Sequence, residues 1–206
     1  MTALGNRRAI MTMFSDPEDI HSHRVRLVLA EKGIKAEIES CDPNNKPEDL
    51  IQLNPSNTLP TLIDRELVLY DARVVIEYLD ERYPHPPFMP IDPVSRARTR
   101  LALFRVEADW YSLLPALEAG GDQKESAAHQ LAESLTASND VFAAMPFFLS
   151  EEYSMLDATL APLLWRLKHY GIVMPKAASA VSDYAKRLFA RPGFQASLTD
   201  FERSLA

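Results

Sequence analysis

Five prolines fall within the ten residues from Pro84 to Pro93, and this stretch limits the fold more than any other. Proline fixes φ and has no amide hydrogen, so the segment can continue neither a helix nor a central strand and reads as a stiff, extended connector. The patterning differs on its two sides. Before it, Ala9 to Phe14 is a short apolar strand, Val25, Val28 and Leu29 mark one face of a helix, and Ala36 to Ser40 alternates apolar and charged residues. Gly33 stands where a helix C-terminal cap belongs. Pro60 lies at the start of a strand over Leu59 to Asp64, Val68 to Tyr70 supplies a hairpin partner, and Val74, Val75, Tyr78 and Leu79 are helically spaced between Asp71 and Tyr83. This predicts a β-α-β-β-β-α unit over residues 1–84. After the connector, 85–93, strand alternation ceases. Helices are expected over 94–119, 123–144, 155–170, 177–190 and 194–205, so residues 94–206 form an all-helical domain. Ser154 and Asp157 have capping-box spacing ahead of Leu160, Leu163, Leu164 and Leu167.

A chain of 206 residues can bury a core without disulfides or metals. Its 22 basic and 29 acidic residues give a net charge of -7, which opposes a phosphate backbone and argues against autonomous nucleic-acid binding and base contacts. Cys41 is the only cysteine, so no internal disulfide forms. No apolar run reaches the roughly 18 residues of a bilayer span. The apolar stretch after Arg7 and Arg8 stops at Ser15 and Asp16, too soon for a signal-peptide core, and a cytoplasmic protein with no membrane partner is expected. No P-loop, dinucleotide fingerprint or nucleophile elbow occurs. His21 and His23 lack a metal-ligand pattern and read as surface histidines, and Cys41 is too far from the first helix start for a catalytic thiol. Neither metal nor cofactor is expected.

Leu53-Asn54-Pro55, Leu59-Pro60-Thr61-Leu62, the helix from Asp71 to Tyr83 and the Ser154 to Asp157 box together resemble the glutathione transferase superfamily, over nearly the whole chain. Four unbroken stretches, Met11 to Ser15, Val28 to Gly33, Tyr78 to Pro87 and Leu160 to Leu167, resemble its stringent starvation protein branch. The resemblance implies a thioredoxin-like N-terminal domain followed by a C-terminal helical bundle. It also implies a cis Leu59-Pro60 peptide that lets the Leu59 backbone pair with an extended peptide such as glutathione.

A transferase of this kind activates the glutathione thiol with a Tyr, Ser or Cys near the first strand-helix junction. Here the resemblance places Phe14 and Asp19 at those positions, with Ser15 as the remaining hydroxyl. Asn57 and Thr58 stand where many relatives have Gly and Lys, and Asp71-Ala72 replaces a Glu-Ser pair, so a cation and a hydroxyl for the glutathione carboxylates are missing. Ser15, Leu59, Pro60 and Asp71 therefore outline a degenerate glutathione site, and no catalytic residue is assigned. A glutathione-dependent transferase or thiol reductase is the alternative.

In the stringent starvation proteins, Pro84-His85-Pro86 belongs to a surface implicated in contacting RNA polymerase, so the resemblance makes the holoenzyme, core or sigma factor, the expected partner. Asp92 stands where relatives carry an aromatic residue. Arg96, Arg98, Arg100 and Arg105 open the long helix, whereas Glu77, Asp80 and Glu81 make the preceding one acidic. This suggests a two-fold dimer of the superfamily type, formed with a second copy or a homologous chain, around Glu77, Asp80, Arg96 and Arg100.

Overall fold

The computed structural model describes residues 10–206; Ala9, Arg7 and Arg8 lie outside them. Two compact units form. The first runs through Pro86 and takes in Pro192–Ser204, and the second comprises Pro87–Arg191 with Leu205–Ala206.

In chain order the first unit contains β1 (Thr12–Ser15), α1 (Ile20–Glu31), β2 (Glu37–Ser40), α2 (Glu48–Leu53), β3 (Thr61–Asp64), β4 (Leu67–Tyr70) and α3 (Ala72–Arg82). The sheet order is β2-β1-β3-β4. β1 is parallel to β2, with Met13 opposite Ile38, and antiparallel to β3, with Met13 opposite Leu62. The two interior strands are buried and the edge strands exposed, as hydrogen bonding on both sides and helix cover require. Phe14, Cys41, Leu50 and Ile63 form a core cluster, with Leu53, Leu59 and Val68 packed against it.

Local chemistry sets the ends of α1. Asp19 caps it by accepting from Ser22 N at 2.6 Å. Gly33, at φ +63°, takes the left-handed turn after Lys32, while Ile34 N donates to Leu29 O at 2.9 Å. The short α2 is an addition to the predicted order. Pro47 precedes it, Glu48 and Asp49 supply the favourable acidic first turn, and Leu50 is buried.

The second unit holds α4 (Pro93–Asp109), a 3-10 turn (Tyr111–Leu113), α5 (Leu114–Ala119), α6 (Gly121–Ala137), α7 (Asn139–Ala144), α8 (Met155–Trp165), a second 3-10 turn (Lys176–Ala178) and α9 (Ser179–Phe189). The helix expected over 94–119 breaks because Pro115 has no amide for a continuous ladder. The 123–144 helix breaks at Ser138, whose Oγ donates to Ser134 O at 2.9 Å. The capping box at α8 is present: Asp157 Oδ2 accepts from Ser154 N at 2.7 Å and Ser154 Oγ accepts from Leu156 N at 3.2 Å. Asp157 Oδ1 also accepts from Tyr184 Oη at 2.6 Å, and burial pushes both groups' pKa values up.

Residues 192–204 depart from the expected helical domain over 94–206. As α10 (Pro192–Ser197) and α11 (Asp200–Ser204), they pack with the first unit, α10 against α1. Thr199 and Glu202 close a second capping box: Glu202 N donates to Thr199 Oγ1 at 3.2 Å and Thr199 N to Glu202 Oε2 at 3.0 Å.

Candidate functional site

β1 ends and α1 begins where a transferase would hold its thiol-activating group. Ser15, the last residue of β1, is 2% exposed, and its Oγ accepts from Arg26 Nη1 at 2.5 Å. Arg26 Nη2 donates to Glu202 Oε1 at 2.7 Å and its Nε to Ser197 O at 3.1 Å. His23 Nδ1 lies 3.2 Å from the same Glu202 oxygen, and His23 Nε2 lies 3.1 Å from Ser197 Oγ. Ser197, His23 and Glu202 thus stand in the order of a hydrolytic triad, but all three are buried and Ser197 Oγ donates to Phe194 O at 2.7 Å. The arrangement is a clasp between α1 and the C-terminal segment. It corrects the reading of His23 as a surface residue: docking of Pro192–Ser197 on α1 leaves the imidazole 0% exposed, whereas His21 stays half-buried. Among the described residues no His/Cys/Asp/Glu group could hold a metal ion.

The Leu59-Pro60 peptide is cis, with Leu59 half-buried and Pro60 buried. Asn54 Nδ2 anchors the turn through Thr58 O at 3.2 Å and Thr61 Oγ1 at 2.9 Å. Asp71 caps α3 with φ +81°, in the left-handed region. Its carboxylate accepts from Arg73 N at 2.9 Å and Arg73 Nε at 3.0 Å, and Arg73 Nη2 pairs with the other oxygen. The Arg73 side-chain hydrogen bond lowers the Asp71 pKa. Lys46 Nζ donates to Asn57 O at 2.7 Å, which ties the loop ahead of the cis turn to the segment before α2.

Pro84, His85, Pro86 and Pro87 are all exposed, and the His85-Pro86 peptide is cis as well. Asp92, in the expected aromatic position, caps α4 by accepting from Ser95 N at 2.9 Å, and hydrogen bonds from the Ser95 hydroxyl and then its amide lower the Asp92 pKa. The four charges of the expected interface fare differently. Glu77 on α3 is half-buried, while Asp80 is buried and paired with Lys32 Nζ at 2.7 Å, which removes it from the surface. On α4, Arg96 is half-buried and Arg100 exposed. Only Val106 of the 17 residues of α4 is buried, and Val94, Leu101 and Phe104 are 62%, 62% and 65% exposed.

Residues 20–82 match the family described as glutathione S-transferase, N-terminal domain, and residues 101–192 match glutathione S-transferase, C-terminal domain. The stringent starvation protein A homolog of Pasteurella multocida is 50% identical over 200 residues, covering 96% of this chain and 94% of that protein. Its counterpart in Coxiella burnetii is 46% identical over 201 residues, covering 97% and 96%. The chain belongs to the stringent starvation protein A family. In three dimensions a glutathione transferase from Methylococcus capsulatus superposes with a TM-score of 0.82 at 24% identity, over 95% of this chain and 98% of that one. The stringent starvation protein A family therefore uses a glutathione transferase scaffold here. The clasp has one local signal that sequence reasoning did not use, the Thr199-x-x-Glu202 capping spacing.

Proposed function

We propose that the chain is a non-catalytic, RNA polymerase-associated regulator of transcription in starvation or stress, working in the cytoplasm on a glutathione transferase scaffold. Membership of the stringent starvation protein A family supports the stress role. The observation that carries the non-catalytic reading is the fate of Ser15: its hydroxyl is buried against Arg26, and Phe14 beside it has none to offer. The polymerase holoenzyme, through core or sigma factor, is engaged at Pro84, His85 and Pro86, which are exposed together. A proline-rich contact loses little conformational entropy on docking. The net charge of -7 disfavours contact with DNA bases and suits basic protein surfaces.

Replacing Pro84, His85 and Pro86 with alanine is expected to abolish co-purification of RNA polymerase holoenzyme while leaving the circular dichroism spectrum and melting temperature nearly unchanged. Unchanged co-purification would overturn the site, and a wild-type chain that does not bind would overturn the function.

The chain is also proposed to act as a dimer, with a second copy or a homologous chain, in which acidic α3 of one subunit faces basic α4 of the other. The exposed Val94, Leu101 and Phe104 give α4 an apolar face to cover, and Arg96 and Arg100 give it the complementary charge to Glu77. Sedimentation should give a dimer at micromolar concentration, and Arg100→Glu should shift it toward monomer; a monomeric wild type would refute this.

A further inference from the structure

Three of the five residues from Tyr83 to Pro87 are prolines and have no amide to donate, so the exposed segment, though locally stiff, has few backbone donors with which to anchor itself to the rest of the unit. Tyr83 N is already used, bonding Leu79 O at 3.0 Å at the end of α3. What lies beneath is Lys32, the residue that follows α1. Its side chain is 0% exposed, and its Nζ donates to Tyr83 O at 2.8 Å and to Pro86 O at 2.6 Å, while Asp80 Oδ1 lies 2.7 Å away. An ammonium carries three N–H groups in a tetrahedral arrangement, and these three acceptors take them. The two carbonyls bracket Pro84 and His85, and the carboxylate sits in the last turn of α3.

We infer that Lys32 is the positioning residue of the Pro84–Pro86 surface: seated on Asp80, its ammonium ties both ends of the segment to α1 and α3 and presents His85 in one arrangement. Two of the four stretches singled out in the sequence, Val28 to Gly33 and Tyr78 to Pro87, thereby meet at one ion pair. This explains why Asp80 faces inward and not toward a second copy. A planar guanidinium does not reproduce the three-way grip, so arginine is not an equivalent residue here. The consequence for a partner rests on the polymerase-docking reading; the consequence for His85 does not.

The test uses the full chain carrying Lys32→Met with Asp80→Leu, which removes cation and anion together and leaves no buried charge unpaired. The backbone order parameter of the His85 amide, measured by nitrogen relaxation, should fall from about 0.85 to below about 0.6 while β1 and α8 keep wild-type values. Affinity for RNA polymerase holoenzyme should drop at least about tenfold. Lys32→Gln with Asp80→Asn, which keeps the pocket polar but is too short to reach both carbonyls, carries the same expectation should the apolar pair disturb folding. A His85 amide as ordered as wild type in a folded variant overturns the inference. So does full polymerase affinity in a variant while the alanine triple substitution has none. If the wild-type chain does not bind polymerase, the docking reading fails and the His85 order parameter still decides the role of Lys32.

Discussion

At the N-terminal end of α1, Ser15, His23 and Arg26 are all engaged with buried groups, two of them from the C-terminal segment. At its C-terminal end the Lys32 side chain is equally buried, yet two of its acceptors are carbonyls bracketing an exposed segment. Both ends satisfy their polar groups internally, as burial demands. The outcomes differ because of what the partners belong to. Where the partner is another buried element, the polar group is enclosed on all sides; where it is the underside of a surface segment, the outer face of that segment stays exposed. On the proposed reading, a transferase scaffold gives up its thiol chemistry at one end of a helix and keeps a shaped surface at the other.

The largest effect that would break this contrast is at Glu202. Glu202→Ala leaves Arg26, 4% exposed, and His23, 0% exposed, without their shared carboxylate. Breaking a buried ion pair from one side costs about 3–5 kcal/mol. Urea unfolding should show that loss, whereas the paired substitution at Lys32 and Asp80 should leave stability close to wild type. A Glu202→Ala chain within about 1 kcal/mol of wild type would show that the clasp is not a buried pair in solution.

How far the sequence went follows the same division between local and distant partners. The stop of α3 before Pro84, the turn at Gly33 and the Ser154–Asp157 box are local devices, and each is where its residues imply. Pro115 and Ser138 are local too, but an apolar period running across them masked the breaks. The clasp joins residues more than 170 positions apart, and no periodicity reports such a pairing. Lys32 and Asp80 were visible as members of matching stretches, but only the fold makes them neighbours. Of the degenerate site, the lack of a hydroxyl at Phe14 was legible, while the capture of Ser15 by Arg26 and of Asp71 by Arg73 was not.

The smallest expected effect sharpens the comparison at Asp71, where the internal partner is exposed and therefore weak. Glutathione is expected to bind the wild-type chain no more tightly than about 1 mM, since no donor activates its thiol and Arg73 occupies the carboxylate that would meet its ammonium. The Arg73 and Asp71 side chains are 61% and 36% exposed, and such surface pairs contribute about 1 kcal/mol at most. Arg73→Ala should then raise glutathione affinity by no more than about fivefold in calorimetry. The same substitution removes the Arg73 side-chain hydrogen bonds and charge that hold the Asp71 pKa down, while the Arg73 amide bond stays, so its carboxyl should titrate at higher pH in a carbon-detected NMR experiment. The sign for stability follows. A depressed native pKa stabilises above the ordinary aspartate range and loses that contribution as pH falls through the native value, so Arg73→Ala should lessen the acid sensitivity slightly. A micromolar dissociation constant for the wild type, or robust conjugation of an electrophilic aromatic substrate, would restore the glutathione-dependent enzyme as the better reading.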